Sequence, residues 1–203
     1  MKTDIMTRFY RYLVAVCFLV LAACGSSPAV HSFTLESAGD YVAHDDDGSP
    51  ILTVGTLRLP EYLNRSQFVS RGSGSEIVVD DLNRWAEPLD DAIHRVLATN
   101  LDILLDTVVV IAYPSTVVAH TDYRLIGRID HFISDPNGIV VLRVQWGITD
   151  PNGVVVLPAK RASFQSQAAK PGDPGSIAQG MSDVLAQFSS AIAAEVNAMD
   201  LAN

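Results

Sequence analysis

Side chains capable of acid–base or metal chemistry are spread along the 203-residue chain without a recognisable catalytic spacing. The five histidines include no pair four residues apart, the spacing that places two imidazoles on one helix face for zinc. The chain also lacks the G-x-S-x-G, H-E-x-x-H, phosphate-binding loop and dinucleotide-binding glycine patterns. The sequence therefore predicts a protein with no catalytic residues, no metal and no cofactor.

Two short segments could still hold reactive groups. His44 precedes three consecutive aspartates, Asp45 to Asp47, whose oxygens would suit a hard cation. A calcium site needs about six or more oxygen ligands, so we interpret this segment as a solvated acidic loop. Ser73 and Ser75 alternate with glycines and have no base nearby in sequence, so we interpret them as turn residues.

Cys24 is the residue whose chemistry the sequence specifies most clearly. Three basic residues precede the uncharged run from Tyr12 to Ala23, which is shorter than the ~20 apolar residues that a bilayer span requires. This order is typical of a secretory signal peptide. The segment Leu21-Ala22-Ala23-Cys24 resembles a lipobox, the bacterial motif at which the signal is cleaved and the thiol becomes a lipid-bearing thioether. We therefore expect residues 1–23 to be a lipoprotein signal peptide and Cys24 to be lipidated.

Processing at Cys24 would leave a tethered domain without a free thiol, because Cys17 lies within the signal peptide. Several acyl chains on one cysteine would anchor the protein stably. Residues 24–30 would form a tether that spans ~25 Å at most, and residues 31–203 would form one domain held near the membrane. Gly25, rather than aspartate, follows Cys24; by resemblance to enterobacterial sorting, this favours the periplasmic face of the outer membrane.

The charge of the chain excludes two classes of partner. The formal net charge is -9, and loss of the signal peptide removes three basic residues and one acidic residue, which leaves -11. Nucleic acid and anionic lipid surfaces are both recognised by clustered lysine and arginine, so we expect neither to be the main partner. A hydrophobic content of 48% favours a folded domain over a disordered chain.

The hydrophobic periodicity of the rest of the chain predicts an α+β fold. We expect a two-layer sandwich in which two long helices pack on one face of an antiparallel or mixed sheet. The opposite sheet face carries several arginines and could be solvated or form an interface. The predicted strands are 31–36, 51–59, 68–71, 76–80 and a doubly buried 107–112, followed by a C-terminal meander of 122–134, 139–149 and 154–167; the predicted helices begin near 88 and 176.

Two apolar segments with aromatic residues stand out between residues 51 and 105. One is Leu59-Pro60-Glu61-Tyr62-Leu63, and the other is Trp85-Ala86-Glu87-Pro88-Leu89. Tryptophan, tyrosine and arginine dominate binding hot spots, so these segments could form a partner-binding patch. Equally, Tyr62 and Trp85 could close the core at the ends of a strand and a helix. The residues that we hypothesise to bind a partner are Leu59, Pro60, Tyr62, Leu63, Arg71, Trp85, Glu87 and Pro88.

The same segments resemble the PqiC/YmbA family of ABC-type transport auxiliary lipoproteins. The matching features follow in order from the lipobox at Cys24. They are Val54-Gly55, Leu59 to Arg65, Gln67 to Arg71, Arg84 to Leu89, and the helix containing Leu97, Asn100 and Leu101. The family usually has Asp and Pro where Asn64 and Ser66 stand, which affects only contacts within that loop.

The resemblance implies a non-catalytic accessory or docking lipoprotein of an MCE-type intermembrane lipid transport system, important for envelope integrity. Its partners would be an MCE-domain protein and the inner-membrane subunits of that system, and it could form a homo-oligomer. One alternative is a stand-alone periplasmic lipid-binding lipoprotein, in which the sheet and helices part to hold an acyl chain. A second is an envelope hydrolase, which no motif supports.

Overall fold

The computed structural model describes residues 28–40, 48–114 and 120–199. The predicted signal peptide, Cys24 and the acidic loop Asp45 to Asp47 lie outside these described residues. Within them the chain forms eight strands, two helices and one 3-10 turn, Glu61–Leu63. The strands are β1 (His31–Phe33), β2 (Ile51–Arg58), β3 (Gln67–Arg71), β4 (Ile77–Trp85), β5 (Val109–Ala112), β6 (Tyr123–Ser134), β7 (Ile139–Thr149) and β8 (Val155–Gln167), and the helices are α1 (Leu89–Leu104) and α2 (Pro174–Met199).

Five strands form a mixed sheet in the order β5-β2-β6-β7-β8. Strand β2 lies between β5 and β6 and is parallel to both, so the chain must cross over before each of these pairings. Strands β6, β7 and β8 form the antiparallel meander that the sequence predicts. The α+β class and the mixed sheet are therefore as predicted.

The two meander connections have the same local structure because they share the tetrapeptide Asp-Pro-Asn-Gly. In the first, the carboxylate of Asp135 accepts hydrogen bonds from the backbone N–H groups of Asn137 and Ile139, at 2.9 and 2.8 Å. Gly138 then adopts a φ of 79°, a conformation that costs glycine little. Asp150 and Gly153 repeat this arrangement one hairpin later, so each turn fixes the register of its strands.

The two helices pack against each other and cover one face of the five-stranded sheet. Pro88 precedes α1, where its missing N–H costs no helical hydrogen bond, and Asp90 and Asp91 favour the positive end of the helix dipole. His94 anchors α1 to β2, because its Nε2 lies 2.7 Å from the carbonyl oxygen of Gly55. In the described ranges neither helix is both long and apolar enough to cross a bilayer.

A separate three-stranded sheet, in the order β1-β4-β3, is the main difference from the sequence-based expectation of one sheet. Strand β1 is parallel to β4, and β3 is antiparallel to it. The small sheet contacts the rest of the domain through β1 against α2 and through β3 against β6. Alternating side chains reveal a strand but not its partner, so the sequence alone could not divide the strands between two sheets.

The strand predicted at 107–112 is shorter and less buried than expected. It forms only as β5, at the edge of the large sheet, and within it Val110 is the single fully buried side chain. Its apolar run TVVVIA resembles that of a central strand, but an edge strand has a neighbour on one side only. The prediction that this strand is buried on both faces is therefore wrong.

A substitution at Phe188 of α2 tests the packing between this helix and the large sheet. Its ring is fully buried and lies 5.8 Å from the rings of Trp146 on β7 and Phe164 on β8. We expect Phe188→Ala to lower the free energy of unfolding by about 3–5 kcal/mol, because it leaves a cavity between sheet and helix. Urea unfolding of the full chain would measure this change. Ser190→Ala, on the exposed side of the same helix, should have little effect; equal unfolding midpoints for the two variants would contradict the packing.

Candidate partner-binding site

The two segments singled out from the sequence meet in the folded domain and line one surface cleft of about 330 Å³. One wall is the loop between β2 and β3, and the other is the junction between β4 and α1. The floor is apolar and the rim carries charged and polar groups. The lining residues are Leu59, Leu63, Asn64, Arg65, Ser66, Trp85, Ala86, Glu87, Pro88, Leu89 and Asp90.

Local hydrogen bonds give the first wall its shape. Pro60 ends the extended run of β2, and its carbonyl accepts a hydrogen bond from the N–H of Leu63 at 2.9 Å. The resulting 3-10 turn buries Leu63 and leaves Asn64 and Arg65 exposed. Because a buried leucine holds the turn against the core, the exposed residues after it have a defined position.

Trp85 holds the second wall against the first. Its ring stacks on Phe68 of β3 with centroids 4.8 Å apart, and Phe68 also meets Phe33 of β1 edge to face at 5.9 Å. The N–H of Trp85 donates to the carbonyl of Ser66 at 2.7 Å. Its neighbour Ala86 donates to the carbonyl of Phe33 at 2.8 Å. These contacts join all three strands of the small sheet at the cleft.

Glu87 and Arg95 fix the start of α1 relative to β1. A guanidinium nitrogen of Arg95 lies 2.6 Å from a carboxylate oxygen of Glu87, and the same nitrogen donates to the carbonyl of Leu35 at 3.0 Å. The hydroxyl of Thr34 donates to the same Glu87 oxygen at 3.0 Å. The hydrogen bond from Arg95 lowers the pKa of the Glu87 carboxyl, with smaller contributions from Thr34 and from the Arg95 charge, although partial burial opposes the shift.

The structure brings together five of the eight residues hypothesised to bind a partner: Leu59, Leu63, Trp85, Glu87 and Pro88 line the cleft. Leu63 and Trp85 are core side chains, with 3% and 7% of their surfaces exposed. Their direct contribution to a partner contact would therefore be small, and they position the exposed residues around them. A role of the eight residues in partner binding stays a prediction.

Pro60, Tyr62 and Arg71 do not line this cleft. Pro60 and Tyr62 belong to the 3-10 turn region, where Tyr62 is half-buried against the core. Burial raises the pKa of the Tyr62 hydroxyl, and the positive charge of Arg71 opposes that rise. Arg71 itself, at the end of β3, lines a neighbouring groove.

Sequence reasoning did not assign four polar residues that line the cleft: Asn64, Arg65, Ser66 and Asp90. Asn64, Arg65 and Ser66 all fall within or beside the loop segment that carries the family resemblance, but their types alone do not distinguish a cleft rim from ordinary surface. Asp90 is indistinguishable in sequence from an acidic residue that only favours the start of a helix. These four residues are recognised as cleft residues only because the two segments meet in the folded domain.

The cleft has the chemistry of a binding surface. It combines apolar side chains with one ion-paired carboxylate and one exposed guanidinium, that of Arg65, which suits recognition of a protein segment. Across the residues that the structure describes, no group of three or more His, Cys, Asp or Glu side chains is placed to hold a metal ion.

The lowered pKa of Glu87 predicts a pH-dependent stabilisation. A carboxyl whose pKa is lower in the folded state than in the unfolded state stabilises the fold at pH values above its unfolded-state pKa. This stabilisation is lost as the pH falls through the folded-state pKa. Both side chains are partly exposed, so we expect Glu87→Gln to lower the free energy of unfolding by only about 0.5 kcal/mol near neutral pH. Urea unfolding at neutral pH and at about pH 3 should show the difference shrinking in acid. If Glu87→Gln and wild type differ in free energy of unfolding by the same amount at both pH values, the stabilisation does not come from the Glu87 carboxylate. Asp81→Asn, at an exposed position, is the control.

Solved structures share this architecture. A crystal structure of an uncharacterised protein aligns with a TM-score of 0.69 at 21% identity, and covers 83% of this chain and 99% of the other. The crystal structure of a Xanthomonas campestris protein aligns with a TM-score of 0.62 at 14% identity, and covers 85% of this chain and 96% of the other. At these identities the similarity establishes the fold alone.

Sequence comparisons identify the family. Intermembrane transport lipoprotein PqiC of Escherichia coli (strain K12) is 28% identical over 145 residues, which span 67% of this chain and 72% of that protein; the Shigella flexneri PqiC matches equally. The model of the ABC-type transport auxiliary lipoprotein component family matches residues 33–193. That range includes both walls of the cleft, strands β2 to β8 and most of α2. The resemblance seen in the sequence is thereby confirmed, and the chain belongs to the family of ABC-type transport auxiliary lipoprotein components.

Proposed function

We propose that this protein is a non-catalytic outer-membrane lipoprotein, anchored through lipidated Cys24, that docks onto the MCE-domain protein of an intermembrane lipid transport system. The cleft between the β2–β3 loop and the β4–α1 junction is the surface that receives this partner. The role belongs to the accessory component rather than to the subunits that move lipid or consume ATP.

The observation that carries the proposal is the convergence of the two segments within the matched family region. Both segments are rich in aromatic and apolar residues, and residues 64–84 separate them in the sequence. In the fold they form opposite walls of one cleft, braced by the stack of Trp85 on Phe68. A rigid apolar surface with a polar rim is the usual form of a protein-binding hot spot.

The tether supports a docking role. The first strand begins at His31, seven residues after Cys24, so the domain would lie within ~25 Å of the lipid anchor. A mature chain with a formal charge of -11 is not attracted to anionic lipid, so its protein surfaces would remain free for a partner. The short tether thus presents the cleft at the membrane surface to a component that spans the periplasm.

Variants on the cleft rim and the adjacent turn test the docking surface. Arg65→Glu and Tyr62→Ala should each reduce recovery of the MCE-domain protein about tenfold or more, since loss of a hot-spot side chain costs that much in affinity. The assay is affinity purification of lipidated full-length protein from its own envelope after crosslinking, with bound proteins identified by mass spectrometry. Trp85→Ala would be a poor test because Trp85 is a core residue.

Arg161→Glu is the matched control, because it makes the same charge reversal on exposed strand β8, outside the cleft. It should leave recovery unchanged. If wild type fails to recover an MCE-domain protein, the docking role is wrong. If Arg65→Glu on the rim and Tyr62→Ala on the adjacent turn both recover the partner as well as Arg161→Glu does, the role stands but the assigned surface is wrong.

The anchor is tested independently of the partner. Cys24→Ser removes the thiol that would form the thioether, so the protein should lose the mass of its acyl chains and should no longer fractionate with the outer membrane. Intact-protein mass spectrometry and sucrose-gradient separation of the two membranes measure both effects. Wild-type protein recovered only from the inner membrane would contradict the proposed location, and unmodified Cys24 would contradict the anchor.

A further inference from the structure

Three basic side chains from three different strands line one groove of about 370 Å³, which shares no lining residue with the candidate cleft. Arg71 reaches the groove from the end of β3 in the small sheet. His131 on β6 and Arg143 on β7 approach from the large sheet. The groove therefore exists only because the small sheet packs against the large one.

The pairing of β6 with β7 places His131 directly opposite Arg143. Neighbouring side chains on one face of an antiparallel pair interact, and like charges at such positions are unfavourable. Burial lowers the pKa of the His131 imidazole, and the charges of Arg71 and then Arg143 lower it further. The charges of both guanidiniums therefore act on the His131 imidazole in the groove.

Among the described residues one carboxylate, that of Asp135, lines the groove together with the two arginines. One of its oxygens accepts the backbone N–H groups of Asn137 and Ile139 within the meander turn, and the other lies 3.5 Å from the side-chain amide nitrogen of Asn137. Arg71 donates to the carbonyl of Gly74 at 3.3 Å. In the described part of the chain neither Arg71 nor Arg143 has an ion-pair partner.

This arrangement is unexpected for a chain with a formal net charge of -9, in which acidic residues outnumber basic residues 23 to 14. Arginines on such a surface usually have carboxylates within reach, as Arg95 and Arg128 do here. Two guanidiniums that have no ion-pair partner among the described residues outnumber the single carboxylate of Asp135 in this groove, which leaves a local positive potential that a bound anion would relieve.

The remaining wall of the groove is apolar. Ile133 is almost fully buried, and Ile139 and Val141 are half-buried. A ligand that fills the groove would therefore have an anionic group near the arginines and a carbon-bearing portion beside the three aliphatic side chains.

We propose that the Arg71–His131–Arg143 groove is a binding site for a phosphate group, either the phosphodiester of a lipid headgroup or free phosphate. A planar carboxylate is satisfied by the fork of one arginine, whereas donors that converge from three strands suit the oxygens of a tetrahedral anion. This site goes beyond the docking role and does not require the transport partner.

Proton linkage gives the site a specific signature. A bound phosphodiester would favour the imidazolium form and raise the pKa of His131, opposing Arg71, Arg143 and burial. Affinity should then be highest at low pH and fall as pH rises through the His131 pKa of the bound state. The charge of a phosphodiester does not change in this range, so the pH dependence reports the protein alone. Asp135 is the acidic group that lines the groove.

The test uses the lipidated full chain in a neutral detergent, followed by NMR of the histidine ring protons. The His131 signals are identified by their absence in His131→Gln. The probes are glycerophosphoglycerol, a soluble headgroup phosphodiester, inorganic phosphate and uncharged glycerol. We expect glycerophosphoglycerol to shift the His131 signals, glycerol to leave them unchanged, and affinity to rise at least threefold between about pH 8 and about pH 5.5.

The double variant Arg71→Gln, Arg143→Gln should weaken binding at least tenfold. The matched control is Arg124→Gln, Arg161→Gln, which removes the same charge from exposed positions outside the groove and should bind as wild type does. Tighter binding of glycerophosphoglycerol than of inorganic phosphate would support the site and identify a lipid headgroup as its ligand. The reverse order would support the site and identify free phosphate.

Three results would overturn the proposal: neither phosphate compound shifts His131, both double variants bind alike, or only an acidic peptide such as tetraglutamate binds. The last result would assign the groove to a protein partner. Folding of each variant is checked by its urea unfolding midpoint, so loss of binding can be separated from loss of structure.

Discussion

The stack of Trp85 on Phe68 is the contact on which the candidate cleft depends. It joins the last residue of β4 to β3, while the backbone bonds from Trp85 and Ala86 reach the loop after β2 and the end of β1. A buried aromatic pair contributes both apolar area and a preferred geometry, so it restricts how the strands can slide. Helix α1 begins at Leu89, four residues after Trp85. The stack therefore positions both walls of the cleft.

The helix layer contributes stability and leaves little apolar surface for recognition. The apolar faces of α1 and α2 pack against the large sheet and against each other, so their buried residues form one continuous core with the sheet. Recognition must then use surfaces elsewhere. The candidate cleft and the Arg71–His131–Arg143 groove are both lined by residues of the small sheet together with residues of the rest of the domain.

Electrostatics distinguishes these two surfaces. Beside the cleft the charges of Glu87 and Arg95 compensate each other, so this pair fixes geometry, while Arg65 and Asp90 bring further charges to the rim. In the groove neither Arg71 nor Arg143 has an ion-pair partner among the described residues, and the one carboxylate there, that of Asp135, is hydrogen-bonded within its own turn. At the proposed phosphate site, two arginines would favour a bound anion locally although the chain as a whole is acidic.

The sequence alone determined the local features. The order of charge, apolar run and small residues before Cys24 predicts the anchor, the Asp-Pro-Asn-Gly segments predict both meander turns, and the periodicity of α1 and α2 predicts the helices, because these features depend on neighbouring residues. The sequence likewise predicts the α+β class of the domain and its family. The sequence also identified both segments of the candidate cleft, although it could not separate the core roles of Leu63 and Trp85 from surface roles.

Tertiary structure alone decided which distant residues meet. The division of strands into two sheets, the edge position of β5, and the grouping of Arg71 with His131 and Arg143 depend on pairings between segments far apart in the chain. Strand patterns give each side chain a face but give no partner strand, and a guanidinium looks the same in sequence whether or not a carboxylate will reach it. Contact and charge compensation are properties of the packed domain, so they appear only when the strands are in place.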